Sequence, residues 1–116
     1  MSVGGTGLLD QRVTLYAYAV TVDDTGVPVE RYPEWGTRWG RIEPPTGRER
    51  TLGEREAHQI DAVLVLRTEI PVLARWLAEV GGVVYRVLAI LPRRMQGLQH
   101  LLVTTADDAA ETVVES

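Results

Sequence analysis

Cysteine is absent from this chain, and so are lysine, asparagine and phenylalanine. The first absence excludes a disulfide framework and any thiolate metal site; it leaves the compartment consistent with cytoplasm without fixing it. All twelve basic residues are arginine. Lysine, asparagine and phenylalanine have AT-rich codons, so a GC-rich genome explains the bias and no chemistry need be read into it. With aromatics confined to Trp and Tyr, the core must be built from Val, Leu, Ile and Ala. No apolar run approaches the roughly 20 residues of a membrane helix. The opening MSVGGTGLLD lacks the basic start and long apolar stretch of a signal peptide.

Positive charge is also in short supply. The formal net charge is −4, and Asp107, Asp108, Glu111 and Glu115 fall in the last ten residues, which carry no base. Residues 1–106 therefore balance, with twelve acids and twelve bases. A non-specific DNA binder needs a basic surplus to displace counterions, and neither the whole chain nor its body has one. No membrane partner is implied.

Catalytic patterns are missing as well. His58 and His100 each lie beside a strand-like stretch with no acid–base partner at motif spacing, which favours a structural or surface role. In the runs Arg48-Glu49-Arg50 and Glu54-Arg55-Glu56 the carboxylates alternate with arginine. That lowers carboxylate pKa values, where a general acid needs one raised. There is no nucleophile elbow, P-loop or dinucleotide fingerprint. No enzyme, cofactor or metal is expected. Trp35 and Trp39 have the chemistry to stack on bases, but packing in the sheet core beside Ile42 is the preferred reading for a body without net positive charge.

What is present is β-structure in a chain of 116 residues that is 45% hydrophobic, enough for one domain with a modest core. Residues 1–9 are Gly-rich and read as a flexible arm. Arg12–Val22 alternates, with Val13, Leu15, Ala17 and Ala19 against Thr14, Tyr16, Tyr18 and Val20. Asp23-Asp24-Thr25-Gly26 is a turn signal, and Val27–Tyr32 is the return strand of a hairpin, with Pro28 marking an edge. Ala57–Arg67 is the clearest strand: Ile60, Ala62, Leu64 and Leu66 point one way, while Val63 and Val65 call for cover on the other face. Leu73, Trp76, Leu77 and Val80 have helical spacing, yet Gly81-Gly82 also suits a two-residue hairpin loop. A turn of helix at Pro71–Ala74 followed by a short strand is the reading adopted for residues 69–80, with a continuous helix as its competitor. Val83–Leu91 and His100–Thr105 complete an all-β set of six to seven short, mostly antiparallel strands, a small barrel or sandwich over residues 10–106. Residues 107–116 read as an acidic, disordered tail.

The stretch WGTRWGRIEPPTGRERTLGER, Trp35 to Arg55, organises the rest. It begins as a strand, with Trp39, Arg41 and Glu43 on one face and Arg38, Gly40 and Ile42 on the other. Pro44-Pro45 stops it, because proline supplies no ladder N–H. A long charged loop follows at residues 45–57, where small β domains tend to carry function. Arg48, Glu49, Arg50, Glu54, Arg55 and Glu56 are its candidate contact residues. Trp39, Ile42, Leu64, Leu66, Val83, Tyr85 and Val87 are the candidate core.

The order of these features resembles one family. It runs Arg12-Val13-Thr14-Leu15, the acidic turn Asp23–Gly26, Trp39-Gly40-Arg41-Ile42-Glu43-Pro44, and Gly47-Arg48-Glu49. After the charged loop come Val65-Leu66-Arg67, then Gly82-Val83-Val84-Tyr85-Arg86-Val87 and a closing Leu-rich strand. The chain is similar over about residues 8–106 to the phage head–tail joining family, the head-closure or stopper proteins of long-tailed phages, prophages and gene transfer agents. The resemblance implies a virion protein at the head–tail interface, present in host cytoplasm during assembly. It implies a ring of copies, a hexamer in preference to a dodecamer, with portal and adaptor proteins above and a tail terminator or tail tube protein below. Such a ring encloses double-stranded DNA without specific binding, closes the channel after packaging and offers the tail a docking surface. In that family the loop equivalent to residues 45–57 projects toward the channel or a ring neighbour. Two other readings stand beside it: an OB-like nucleic-acid-binding barrel, and another neck component such as a tail-completion protein.

Overall fold

A computed structural model describes residues 9–47, 59–91 and 97–106. Eight strands run in chain order: β1 Gln11–Tyr16, β2 Ala19–Val22, β3 Pro28–Arg31, β4 Glu34–Glu43, β5 Ala62–Arg67, β6 Leu77–Val80, β7 Val83–Leu91 and β8 Leu98–Thr105. Six of them close into a barrel in the order β1-β4-β5-β8-β7-β6, and β6 pairs back onto β1. Every pairing is antiparallel. β2 and β3 form a separate two-stranded sheet. The all-β barrel expected from the alternation is what forms. The count rises to eight because the stretch Arg12–Val22 divides at Ala17-Tyr18, where the chain leaves the barrel wall to enter the hairpin.

Period-two alternation decides what fills the barrel. Val13 and Leu15 of β1, Leu64 and Leu66 of β5, Ala78 and Val80 of β6, Val87 of β7 and Leu101 and Val103 of β8 all point inward and are buried. Ile70, Val72 and Trp76, from the segment between β5 and β6, belong to the same cluster and cap one end. Gln99 holds that cap: its Nε2 donates to the carbonyls of Arg67 at 2.8 Å and Ile70 at 2.9 Å. It is the one buried polar side chain among the described residues, and it is satisfied. The outer side of the wall carries two smaller cores. Val63, Val65 and Leu102 pack with Leu9 and Ile60 in one, the cover that Val63 and Val65 required. Tyr16, Tyr32, Leu77, Val84 and Ala106 make the other.

Gly40 is where the barrel is tightest. It faces inward from β4, and a Cβ there would stand 2.7 Å from Leu66 Cδ2, 2.8 Å from Val13 Cγ2 and 3.0 Å from the Val65 carbonyl oxygen. No larger residue fits without pushing two core side chains and a strand backbone aside.

Several expectations need correction. Trp39 is 46% exposed, because inward Gly40 and Ile42 oblige it to point out, opposite Arg12. Val83 has the inward parity of Tyr85 and Val87 but sits at the rim just after a turn, 38% exposed. Ile42 and Tyr85 are half-buried against the interior cluster, while Leu64, Leu66 and Val87 lie fully within it. β7 does not alternate throughout. A bulge places Val87 opposite Val103 and Ala89 opposite Leu102, with Leu88 as the extra residue. Ala89 therefore turns outward to join Leu88 and Leu91 on the outer core.

No turn of helix forms at Pro71–Ala74. The Trp76 N–H donates to the Leu73 carbonyl at 3.3 Å, closing a turn with Arg75 at φ 78°. This turn is set beside β7 by the Arg75 N–H donating to the Val87 carbonyl at 2.8 Å and the Val87 N–H to the Trp76 carbonyl at 2.9 Å. The helical spacing was coincidental: Leu73 is 63% exposed. The short strand of the adopted reading does form, as β6, and it turns into β7 through Gly81 and Gly82, both at the positive φ that a tight turn requires, so the continuous helix is excluded.

Gly40→Ala is expected to destabilise the fold by about 1–3 kcal/mol, the usual cost of overpacking. Chemical denaturation measures this, and Val13→Ala in the same chain should recover part of the loss by coupling to the new methyl group. A neutral Gly40→Ala would contradict the packing described.

Candidate functional site

Following strand directions around the barrel separates its two ends. β1 and β5 begin, and β4 and β8 end, at the same rim, since Gln11 lies opposite Gly40, Glu43 opposite Val63, and Ala62 opposite Val103. β6 ends and β7 begins there too. The chain before Leu9, the charged segment between β4 and β5, and the chain after Ala106 thus all depart from one rim. The β2–β3 hairpin and the capping segment 68–76 occupy the opposite end. Composition had suggested three appendages; only the topology puts them together.

The candidate contact residues Arg48, Glu49, Arg50, Glu54, Arg55 and Glu56 lie outside the described residues, as does His58. What is described is the root of their loop. On the outgoing side, the Ile42 N–H donates to Gln11 Oε1 at 2.7 Å, and Arg41 pairs with Glu43 at 3.6 Å. On the returning side, Asp61 fastens the chain to the end of β8. Its Oδ2 accepts from the Thr105 N–H at 2.7 Å, Thr105 Oγ1 at 2.7 Å and Thr104 Oγ1 at 2.8 Å, and its Oδ1 accepts from Gln59 Nε2 at 3.1 Å. The Asp61 N–H donates to the Val103 carbonyl at 2.9 Å. The Thr105 N–H bond, more than the hydroxyl bonds, holds the carboxyl below the ordinary aspartate range, against a smaller upward push from burial. Sequence reasoning missed this latch. The signal available was an acid just before an apolar strand together with paired threonines closing the last one.

At the other end a joint of aromatic and charged groups sets the hairpin on the barrel. Tyr18 and Tyr32 meet with ring centroids 5.7 Å apart, and Arg75 lies 5.3 Å over the Tyr18 ring while its Nη1 donates to the phenol oxygen at 3.3 Å. Tyr18 in turn donates to Glu30 Oε2 at 3.0 Å, and the Ala17 N–H to the Pro33 carbonyl at 2.9 Å. Arg75 reaches this position from a left-handed backbone, φ 78°, unusual for a residue with a side chain. The hairpin's far turn is built on Asp23. Its Oδ1 accepts from the Thr25 N–H, the Thr25 hydroxyl and the Val27 N–H, bonds that hold its carboxyl low, with the hydroxyl bond foremost. Gly26 takes the positive φ expected of that turn.

The two tryptophans read as stacking candidates separate. Trp35 packs against Trp76 at 5.9 Å with Arg38 lying 4.6 Å over it. Trp39 stands on the outer wall with Arg12 at 5.1 Å over its ring. His100 lies within β8, opposite Val65 and Leu91. Among the described residues, no group of His, Asp and Glu is arranged to hold a metal ion.

Comparison with known proteins points one way. The family model described as phage head completion protein matches residues 5–109. A protein from Shigella flexneri 2a, solved in solution, has the same fold, with a TM-score of 0.71 at 19% identity over 90% of this chain and 99% of that one. A chain in the virion of a native gene transfer agent particle superposes with a TM-score of 0.53 at 15% identity, over 84% of this chain and 96% of its own. No curated protein matches by sequence.

The Asp61 latch makes a pH prediction. A carboxyl whose folded pKa lies below its unfolded value near 3.8 contributes its full stability above that value. The contribution fades as pH falls through the lower, folded pKa. Asp61→Asn should therefore lower stability by about 1 kcal/mol at neutral pH, a figure reduced for solvent screening. The gap between variant and parent should close below pH 3.8. Denaturant titrations across that range measure both; a gap independent of pH would remove the charge from the explanation.

Proposed function

The chain belongs to the phage head completion protein family, and from that premise we propose that it is a head–tail connector subunit of the stopper type. Copies assemble as a ring, a hexamer in preference to a dodecamer, beneath the portal and adaptor. The ring retains packaged DNA and presents a docking surface to the tail terminator or tail tube protein. The subunit is a component of the virion, assembled in the host cytoplasm, and it does no catalysis.

One observation carries this reading: the arm, the charged loop and the acidic tail all leave the barrel from a single rim. The barrel interior is filled with side chains, so a passage for DNA can form only between copies arranged about an axis. A rigid wall is what such a subunit needs, with extensions on one side to meet neighbours and the channel. Mixed charges in the loop, Arg48, Glu49, Arg50, Glu54, Arg55 and Glu56, suit register and selectivity between protein surfaces more than bulk affinity. A channel lining should not grip phosphates, and a body without basic surplus fits that demand. The competing nucleic-acid-binding barrel is weakened by Trp35, which is engaged with Trp76 and Arg38.

Replacing residues 45–57 by a short Gly-Ser linker tests the loop. The barrel should keep its strand circular-dichroism signal, while heads lose DNA or fail to join tails. Tailed, infectious particles from that variant would refute the loop's role. A salt-dependent single-stranded DNA titration of the intact protein should show essentially no binding; tight, salt-sensitive binding would favour the nucleic-acid reading.

A further inference from the structure

The β2–β3 hairpin has the features of a docking arm. Val20 and Val22 lie on one face of it together with Glu30 and Pro28, their cross-strand partners. Val20 is 53% exposed and Val22 67%. A two-stranded sheet alone is marginal in water, and this one spends its apolar side chains on no core of its own. Yet it is not loosely attached: the Tyr18–Tyr32–Arg75 joint aims it and the Asp23 turn fixes its tip. A rigidly aimed arm with an uncovered apolar face is built to meet another surface.

The surface that complements it is on the same molecule's outer wall, where β1 and β4 pair. Trp39 is the only tryptophan of the three that is exposed, with Arg12 over its ring and Arg41 two residues along the same face. Exposed indoles and arginines are the side chains that dominate binding energy at protein interfaces. The arm brings valines and a net acidic pair, Asp24 with Glu30, the latter held by Tyr18. The wall brings an indole with Arg12 over it and Arg41, which is paired with Glu43, so the wall stays net positive through Arg12. We propose that the hairpin of one copy docks, through Val20, Val22 and Pro28, on the Arg12–Trp39–Arg41 wall of the adjacent copy.

Arm and wall are different patches, so the contact is head-to-tail and propagates around a circle when its rotation closes. The wall is a side of the barrel and the hairpin leaves from one end, so the contact leaves the rim that bears the loop roots available to other partners. This inference rests on the connector-ring reading, and two measurements keep the two apart. Mass spectrometry of purified particles asks whether the chain is present at all; its absence overturns the connector reading and the arm contact with it. With the chain present, a photoreactive benzoylphenylalanine at position 22 reports what the arm touches inside assembled particles. The expected product is a chain-to-chain crosslink mapping to the peptide that holds Trp39. Crosslinks to a different virion protein, to DNA or to nothing overturn the arm contact while leaving the connector reading intact.

A second variant guards against a misplaced probe. Val20→Asp with Val22→Asp changes only exposed positions, so the melting temperature should stay within a few degrees of the parent. Incorporation into particles should fall by about tenfold or more, and Trp39→Ala should lower the crosslink yield to a similar extent. Normal incorporation of the double aspartate variant would also overturn the proposal.

Discussion

Closure of a narrow barrel is the constraint on which the rest of this structure depends. Six short strands circle a core so confined that position 40 must be glycine, with Leu66 and Val13 within contact of a Cβ that is not there. Closure removes edges from the paired parts of the wall and satisfies its backbone groups without a partner. It also uses up the inward side chains. Anything the protein does for other molecules must then be done by its outer wall, its rims or its hairpin. The placement of the appendages follows from antiparallel pairing alone: once β1 starts at the rim where β4 ends, the arm and the loop share an end, and β8 brings the tail to it.

Much of this could be read from the chain, because period-two alternation states directly which residues face inward. Val13, Leu15, Leu64, Leu66, Leu101 and Val103 obey it, and all are buried. The turns at Asp23–Gly26 and Gly81-Gly82 were also legible, since each demands a positive φ at the residue that adopts it. What failed did so where alternation is interrupted or overridden. The bulge at Leu88 reverses the faces of β7 halfway along, and no residue type there announces it. Trp39 was counted as core on hydrophobicity although Ile42, three residues on, was counted with it. On one strand the two have opposite parity, so at most one can point inward. The strand's own geometry favours Ile42, because Gly40 beside it is the residue that the crowded interior tolerates.

The candidate site was less legible than the fold for a different reason. Asp61 is joined to Thr104 and Thr105 across more than forty positions. Tyr18 meets Arg75 across 57. Neither pair has a local signature; each arises from strand order, which composition and periodicity do not encode. The charged loop was conspicuous in the sequence and its two roots are now placed, one braced by Gln11 and the other by Asp61.

The two roots are held by different kinds of contact. The outgoing root leaves a β4 end that is paired with β5 up to Glu43, and there the Ile42 N–H donates to Gln11 Oε1; Pro44 and Pro45 then supply no N–H with which to extend the ladder. The returning root is held by four bonds to a single carboxylate, three of them from the end of β8. Asp61 thereby ties the returning chain to the end of β8, the strand that also leads to residues 107–116. Antiparallel pairing thus sets the returning root of the loop beside the root of the tail, and one carboxylate joins them.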